Sequence, residues 1–165
     1  AKYIKEHALY WSVNFKDEQF VDEVNILQAT QHSMHASIRS VLDHINTNVN
    51  TSKNIKFQLL IDGNYFMSFV PNKPVHISIN TVVKGDSTYA SIAAASILAK
   101  VERDAYIAQL CLEHPFLTTH YGIDRNKGYG SQEHLQGIRV HGITPWHRKT
   151  FGICKTKTVG SNSNL

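Results

Sequence analysis

The chain has 165 residues, of which 42% are hydrophobic and 18% charged, and this composition is typical of one globular domain with a sizeable core. The formal net charge is +4 and the isoelectric point about 9.1, so an anionic partner is expected. Nucleic acid fits this charge better than a membrane, because the sequence has no basic amphipathic helix and no apolar run of membrane-spanning length.

The cysteines and histidines form no metal-binding or disulfide pattern. Cys111 and Cys154 lie far apart and outside any CxxC frame, which argues against a disulfide framework and a zinc site. A reducing, cytoplasmic location is therefore expected. His32 and His35 are one helical turn apart, but no second pair of ligands accompanies them, so surface or core positions are favoured over a metal pair.

The first third of the sequence is predicted to be mainly helical. Residues 1–9 have apolar side chains at helical spacing, and residues 21–45 carry a long helical apolar stripe. Between them, residues 9–15 (LYWSVNF) alternate and are rich in aromatics, which predicts a strand. Asp17 is placed to cap the turn that follows. Residues 46–54 (NTNVNTSKN) lack periodicity and predict a polar loop.

The middle of the sequence alternates strand and helix. Residues 57–62 (FQLLID) are typical of a buried strand, and residues 75–83 (VHISINTVV) are rich in β-branched side chains. A helix follows Asp86 and runs to about Leu112, before Pro115 stops it. The alternation predicts an α/β sheet, in which ligands bind at the carboxyl ends of the strands.

The C-terminal part is predicted to be basic and helical. Residues 121–131 (YGIDRNKGYGS) form a glycine-punctuated basic loop, and residues 131–142 a short helix with Ser131 as its N-cap. Residues 145–151 (PWHRKTF) are a basic, aromatic segment. The tail, residues 155–165, is predicted to be disordered, and no internal repeat or second domain is found.

Two acidic residues, Asp62 and Asp86, follow the two predicted strands at their carboxyl ends. Taken singly, Asp62 is favoured as an Asx turn and Asp86 as a helix N-cap. Together, two carboxylates at one sheet edge can share a divalent cation, and hard oxygen ligands suit Mg²⁺ or Mn²⁺. Such an ion serves phosphoryl chemistry by activating water and neutralising the leaving oxygen.

Basic and aromatic side chains near the C-terminus could hold the phosphates of a substrate. The candidates are Asn126, Lys127, Tyr129, His147, Arg148 and Lys149. Tyr129 offers a ring that can stack on a sugar or a base, and its glycine neighbours let a backbone come close. For any one of the basic residues, a solvated surface position is the competing interpretation.

The helix after Asp86 is rich in alanine and serine, which allows it to lie close to the sheet and to fix Asp86. Lys100 and Arg103 could reach a neighbouring acid or a phosphate, and Lys84 and Asp104 are further candidates for supporting a metal site. For Asp104 the favoured alternative is an i,i+4 ion pair with Lys100.

Six segments carry a resemblance to a known family. In chain order they are VDEVNILQAT (21–30), LLIDGN (59–64), VVKGD (82–86), SIAAASILAKVERD (91–104), NKGYGSQEHL (126–135) and HGITPWHRKTFG (141–152). The sequence resembles ribonuclease HII, the type 2 ribonuclease H. The match covers nearly the whole chain apart from the Asn-rich loop and the tail, and the ordered set is far more specific than LIDGN alone.

This resemblance implies an RNase H-like α/β fold over residues 1–154, with a mixed sheet flanked by helices and a helical C-terminal part. It implies a monomeric endonuclease that hydrolyses the RNA strand of RNA–DNA hybrids and cleaves 5′ of ribonucleotides embedded in duplex DNA. Family members use four acidic residues with two ions of Mg²⁺ or Mn²⁺. The aspartates of the IDG and KGD motifs match Asp62 and Asp86. The KGY tyrosine, which contacts the sugar at the RNA–DNA junction, matches Tyr129.

One motif of that family is absent from these residues. The family begins with a strand bearing a DEAGRGP-like motif, which supplies its first aspartate and glutamate and the Gly-Arg-Gly that reads the 2′-hydroxyl. The pair Asp22-Glu23 matches a different, helical segment. The expectation is therefore a chain that begins downstream of the first strands, as a fragment or an incomplete record, with little activity alone. The alternatives are a catalytically dead relative that binds nucleic acid, and an α/β domain whose acids only cap helices and turns.

Overall fold

The structure, a computed structural model, describes residues 1–48 and 55–160, which fold into helices and one short parallel sheet. The elements are α1 (Lys2–His7), α2 (Glu18–Val24), α3 (Ile26–Asn48), β1 (Lys56–Asp62), β2 (His76–Val82), α4 (Ala90–Glu113), α5 (Phe116–Tyr121), α6 (Ile123–Asn126) and α7 (Gln132–His141). None of the helices in these ranges is long and apolar enough to cross a membrane.

The chain divides into two compact units. The first unit consists of Ala1–Phe15 and Thr30–Val101, and the second consists of Lys16–Ala29 and Glu102–Leu165. Two of the three boundaries between the units fall inside the long helices α3 and α4. The assignment of residues 1–154 to one catalytic domain stays a prediction.

The sheet belongs to the first unit and consists of β1 and β2, which run parallel. Their register pairs Lys56 with His76 at one end and Asp62 with Val82 at the other. The bounds of both predicted strands, residues 57–62 and 75–83, are thus confirmed to within one residue. The burial predicted for the first strand is wrong, because only Ile61 of β1 is buried. A mixed α/β chain that is mostly helical, with a small parallel sheet, confirms the predicted class and is consistent with an RNase H-like fold.

The helix predicted over residues 21–45 is two helices, separated at Asn25. This residue has a positive φ of 73°, a conformation that asparagine tolerates better than most residues. Its backbone N–H donates to the Val21 carbonyl and ends α2, while its side-chain oxygen accepts from the Gln28 N–H and caps α3. Asp17 caps α2 as predicted, because its carboxylate accepts from the Phe20 N–H at 2.8 Å.

The strand predicted over residues 9–15 is wrong, since these residues form no regular structure. The aromatic side chains that suggested a strand make other contacts. Tyr10 stacks on the His44 ring at 3.8 Å, and the Lys5 ammonium lies 4.8 Å from the Trp11 ring. A strand needs a hydrogen-bonding partner, and within residues 1–48 and 55–160 the only ladder pairs β1 with β2.

The second unit has a hydrophobic core that α5 and α7 help to build. Its buried members are Leu110, Cys111, Leu117, Tyr121, Ile123, Ile138, Ile143 and Cys154. Ser131 caps α7 as predicted, accepting a hydrogen bond from the His134 N–H at 3.2 Å. The predicted loop 121–131 contains the single turn of α6, which local sequence did not indicate.

The tail is ordered further than predicted. Lys155 and Thr156 belong to a 3₁₀ turn, Gly152–Thr156, and Val159 forms a parallel bridge with Ile143. Disorder from residue 155 is therefore wrong for residues 155–160, and residues 161–165 lie outside the described part. Of the predicted loop 46–54, residues 46–48 continue α3, and residues 49–54 also lie outside it.

Candidate active site

The two predicted metal ligands lie at the carboxyl edge of the sheet in the first unit. Asp62 is the last residue of β1, opposite Val82, the last residue of β2. The Asp62 Oδ1 accepts a hydrogen bond of 2.9 Å from the Gly85 N–H, in the turn that leads away from β2. This bond crosses from one strand end to the other. Asp62 therefore binds the backbone amide immediately before Asp86. In the local turn that sequence alone favoured, the Gly63 N–H donates to the Val82 carbonyl instead.

The turn that carries Asp86 is a short 3₁₀ segment, Gly85–Ser87, entered through Lys84 in the left-handed conformation with φ of 55°. Gly85 is buried, and a Cβ placed there would lie 2.5 Å from the Ile92 Cδ1 and 3.4 Å from the Asp62 Oδ1. A side chain at this position would therefore push the Ile92 side chain, in the first turn of α4, out of its place. Close packing of the helix thus fixes the residue next to Asp86, as its small side chains predicted.

Asp86 is available for a ligand. Its side chain is exposed, and across residues 1–48 and 55–160 no hydrogen bond or ion pair engages its carboxylate. It does not cap α4, because that helix begins at Ala90, and the intervening backbone is held by bonds from Thr88 and Tyr89 to the Gly85 carbonyl. The helix-cap alternative for Asp86 is therefore wrong.

The residues present fit part of a magnesium or manganese site. Asp62 and Asp86 supply hard oxygen ligands, which these ions prefer. Among the described residues no group of three or more His, Cys, Asp or Glu side chains could hold a metal. Since Mg²⁺ takes about six oxygen ligands, most of its coordination would come from water, substrate or further carboxylates.

Of the three residues predicted to support a metal site, one precedes the Asp86 turn and two lie on α4. Lys84 precedes the Asp86 turn, and Lys100 is exposed on α4, both in the first unit. Asp104 belongs to the second unit, where its carboxylate lies 4.0 Å from the Arg103 guanidinium. Their role at a metal stays a prediction.

The candidate substrate-binding loop, in the second unit, has a fixed backbone. Lys127 and Gly128 both have positive φ, 52° and 83°. The Asn126 side chain donates to the Tyr121 carbonyl at 2.7 Å and accepts from the Gly128 N–H at 2.9 Å, so its amide holds the turn. The Lys127 ammonium donates to the Asp124 carbonyl at 2.6 Å. Both side chains build the loop, and their contact with substrate stays a prediction.

Tyr129 projects from this loop with 66% of its surface exposed. The Arg103 guanidinium lies 5.5 Å from the centre of the Tyr129 ring and donates to the Lys127 carbonyl at 2.7 Å. Arg103 thus supports the ring by a cation–π contact and the loop by a hydrogen bond. The sequence placed Arg103 near an acid or a phosphate and gave no sign of this contact.

The basic segment 148–150 is anchored by Asp22, a residue that sequence analysis assigned no role. The Asp22 carboxylate accepts from the backbone N–H of Lys149 and from the N–H and hydroxyl of Thr150. Arg148 lies over the Phe151 ring at 3.9 Å. Three charge-assisted hydrogen bonds to one carboxylate thus hold the backbone of this segment. The Lys149 side chain stays exposed.

Two histidines of the second unit, His134 and His147, are buried with their Nε2 atoms 3.0 Å apart, a pairing that the sequence did not indicate. Burial, and then the neighbouring His134, lower the pKa of His147 to about 4. His147 had been grouped with Arg148 as a phosphate-binding cation. Its burial excludes that role, because the ring is neutral at physiological pH.

Acid is expected to destabilise the protein through His147. Between its ordinary pKa of 6.5 and the folded value of about 4, the unfolded chain binds a proton that the folded chain does not. The neutral His147 ring therefore contributes about 3 kcal/mol to the free energy of unfolding above the ordinary pKa. This contribution is lost as pH falls through the folded pKa. Urea unfolding across this range, compared with His147→Asn, measures it. Equal pH slopes in the two proteins would contradict the expectation.

Comparison with known proteins places these features in one family. A family model of ribonuclease HII matches residues 2–154. The ribonuclease HII of Parabacteroides distasonis is 44% identical over 150 residues, covering 91% of this chain and 65% of the relative. That of Bacteroides thetaiotaomicron is 41% identical over 150 residues, with the same coverage. That of Halalkalibacterium halodurans is 40% identical over 148 residues, covering 90% of this chain and 48% of the relative.

These alignments also set the extent of the match. The chain spans between about half and just under two thirds of the length of these three relatives. Within that span the family match includes both strands, the Asp86 turn and the Tyr129 loop. The chain belongs to the ribonuclease HII family.

Proposed function

We propose that the protein is a metal-dependent endoribonuclease that hydrolyses the RNA strand of RNA–DNA hybrids and cuts 5′ of ribonucleotides embedded in duplex DNA. The expected products carry a 3′-hydroxyl and a 5′-phosphate, as in removal of ribonucleotides during DNA repair. The observation that carries this proposal is the hydrogen bond from the Gly85 N–H to Asp62, which ties the two strand ends together beside Asp86. Family membership and a positively charged chain support the choice of nucleic acid as substrate.

In this proposal Asp62 and Asp86 hold Mg²⁺ or Mn²⁺. When bound, such ions activate water and neutralise charge on the leaving oxygen. Asp62 keeps its orientation through the Gly85 amide, so its remaining lone pairs are aimed without further ordering. The Asp86 carboxylate is exposed, and within the described residues it has no hydrogen bond or ion pair that binding a cation would break.

The substrate contacts are assigned to the second unit. Tyr129 offers its exposed ring to a sugar or base, and Arg148 and Lys149 offer positive charge to phosphates. Because Asn126 and Lys127 hold the loop through their side chains, they are expected to act mainly by presenting Tyr129. Phosphate contacts of this kind make binding fall steeply with salt.

The experiment is metal-dependent cleavage of a DNA duplex that contains one ribonucleotide. It compares the 165-residue chain with the full-length product of its gene, in Mg²⁺ and in Mn²⁺. We expect cleavage by the full-length product and little by the chain alone, because two carboxylates bind a divalent ion weakly. Strong cleavage by the chain alone would contradict the second expectation.

The competing function is a catalytically dead homologue that only binds nucleic acid. The absence of a third acidic ligand among the described residues favours it. It predicts salt-sensitive binding to the duplex by both proteins and no cleavage by either with any metal. That result would overturn the proposed activity.

A further inference from the structure

Three buried polar residues of the second unit form a hydrogen-bonded chain that ends on the backbone of Tyr129. The Thr144 N–H donates to the His147 Nδ1 at 3.0 Å, and the two Nε2 atoms of His147 and His134 lie 3.0 Å apart. The His134 Nδ1 then lies 2.9 Å from the Tyr129 carbonyl oxygen. Thr144, His134 and His147 are 0%, 7% and 8% exposed, so water does not compete for these bonds.

The two ends of this chain fix the protons along it. A backbone N–H can only donate, so the His147 Nδ1 is an acceptor and its neutral ring carries the proton on Nε2. That proton is donated to the His134 Nε2, which leaves the His134 proton on Nδ1. A backbone carbonyl can only accept, and the His134 Nδ1–H is the donor that the Tyr129 oxygen needs. Each donor and acceptor along the chain therefore has a partner in only one arrangement of the protons.

The environment keeps both rings in place. The Tyr121 ring packs against both histidines, with its centre 5.3 Å from that of His147 and 6.3 Å from that of His134. The Thr144 hydroxyl lies 2.7 Å from the His147 Nδ1 and adds a second polar contact at that end. Burial holds the pKa of His147 near 4, so its ring stays neutral when the enzyme works near neutral pH.

The chain ends on the residue that the proposed function places against the substrate. Tyr129 follows two residues of positive φ and exposes its ring, so its backbone needs fixing from the protein side. Its carbonyl accepts from the Ser131 N–H at 2.8 Å and from His134 at 2.9 Å. Ser131 also caps α7, which carries His134. One carbonyl thus connects the loop to the start of α7 and, through the histidines, to Thr144.

We propose that His134 and His147 are positioning residues that set the orientation of Tyr129 against the nucleic acid through this one-directional hydrogen-bond chain. The proposal rests on the proposed function, in which Tyr129 contacts the substrate. Such residues need not touch the substrate. A small displacement of the group that does touch it is enough to slow a reaction.

The matched variants are His134→Asn and His134→Gln in the full-length gene product. Asparagine places an amide N–H where Nδ1–H was and keeps the bond to Tyr129, whereas glutamine reaches toward His147 and loses that bond. We expect kcat/KM on the single-ribonucleotide duplex to fall about tenfold for His134→Gln and to stay within about threefold for His134→Asn. Equal losses in both variants, matching their losses in stability, would mean a merely structural role.

Two further measurements keep the inference separate from the activity itself. In a Tyr129→Ala background, His134→Gln is expected to cause no further loss, because it acts through Tyr129, and additive losses would overturn the proposal. Imidazole ¹⁵N shifts of the unmodified protein at neutral pH should show His147 protonated on Nε2 and His134 on Nδ1. The opposite tautomers would overturn the chain even in a protein that cleaves. If the duplex is not cut but the tautomers are as expected, the proposed function fails while the hydrogen-bond chain stands.

Discussion

Changing Asp86 to Asn is expected to reduce cleavage by the full-length gene product at least about a hundredfold, with little change in stability. Asparagine keeps the shape of the side chain and removes the charge that holds a divalent ion. Because the carboxylate is exposed and has no partner in residues 1–48 and 55–160, its loss should leave the fold intact. The measurement is kcat/KM on the single-ribonucleotide duplex as a function of Mg²⁺ and Mn²⁺ concentration.

Two companion variants sharpen this result. Asp62→Asn should lose activity to a similar extent, since its side-chain oxygen can still accept from the Gly85 N–H while the charge is gone. Glu6→Gln removes the same charge from an exposed ion pair with Lys2, 3.9 Å away on α1, and should leave cleavage unchanged. If Asp86→Asn cleaves as well as Glu6→Gln at every metal concentration, Asp86 does not hold the metal.

Changing Gly137 to Ala is expected to destabilise the protein by about 2–3 kcal/mol. In a solvent-exposed helix the same change stabilises by about 1 kcal/mol. Gly137 lies in α7 where that helix packs on α5. A Cβ there would collide with the His120 carbonyl oxygen and come within 2.9 Å of the Tyr121 Cδ1. A backbone carbonyl cannot move aside as a flexible side chain can, so the helices would have to separate.

The matched control is Gly130→Ala. No atom lies within 4 Å of a Cβ at Gly130, and the residue does not have a positive φ. Its substitution is expected to change stability by less than about 0.5 kcal/mol. Urea unfolding of both variants measures the difference, and a higher midpoint for Gly137→Ala than for the unmodified chain would show that α5 and α7 do not pack this closely.

Local sequence predicted those elements whose interactions are themselves local. Ser131 and Asp17 cap their helices because a cap bonds to an amide three residues away. The strands 57–62 and 75–83 were predicted because apolar and β-branched runs favour a buried parallel sheet. Placing Asp62 and Asp86 at one edge then followed from parallel pairing, since the carboxyl ends of parallel strands meet there.

Two failures occurred where a residue distant in sequence decides the structure, and one where a local backbone conformation does. Residues 9–15 have the pattern of a strand, yet Tyr10 packs on His44 instead of joining a sheet. The break at Asn25 lies inside a continuous apolar stripe, because asparagine can adopt a positive φ that periodicity does not reveal. The order of residues 155–160 depends on a bridge between Val159 and Ile143.

Periodicity, turn signals and ordered motifs were enough to predict the α/β class, the two aspartates that follow the strands, and the family. The sequence did not indicate that Asp22 holds Thr150, 128 residues away, or that His134 and His147 lie within hydrogen-bonding distance, because both contacts form only when the chain folds. A carboxylate or an imidazole acquires its role from the group it meets, and chain folding brings those groups together across separations that no local pattern records.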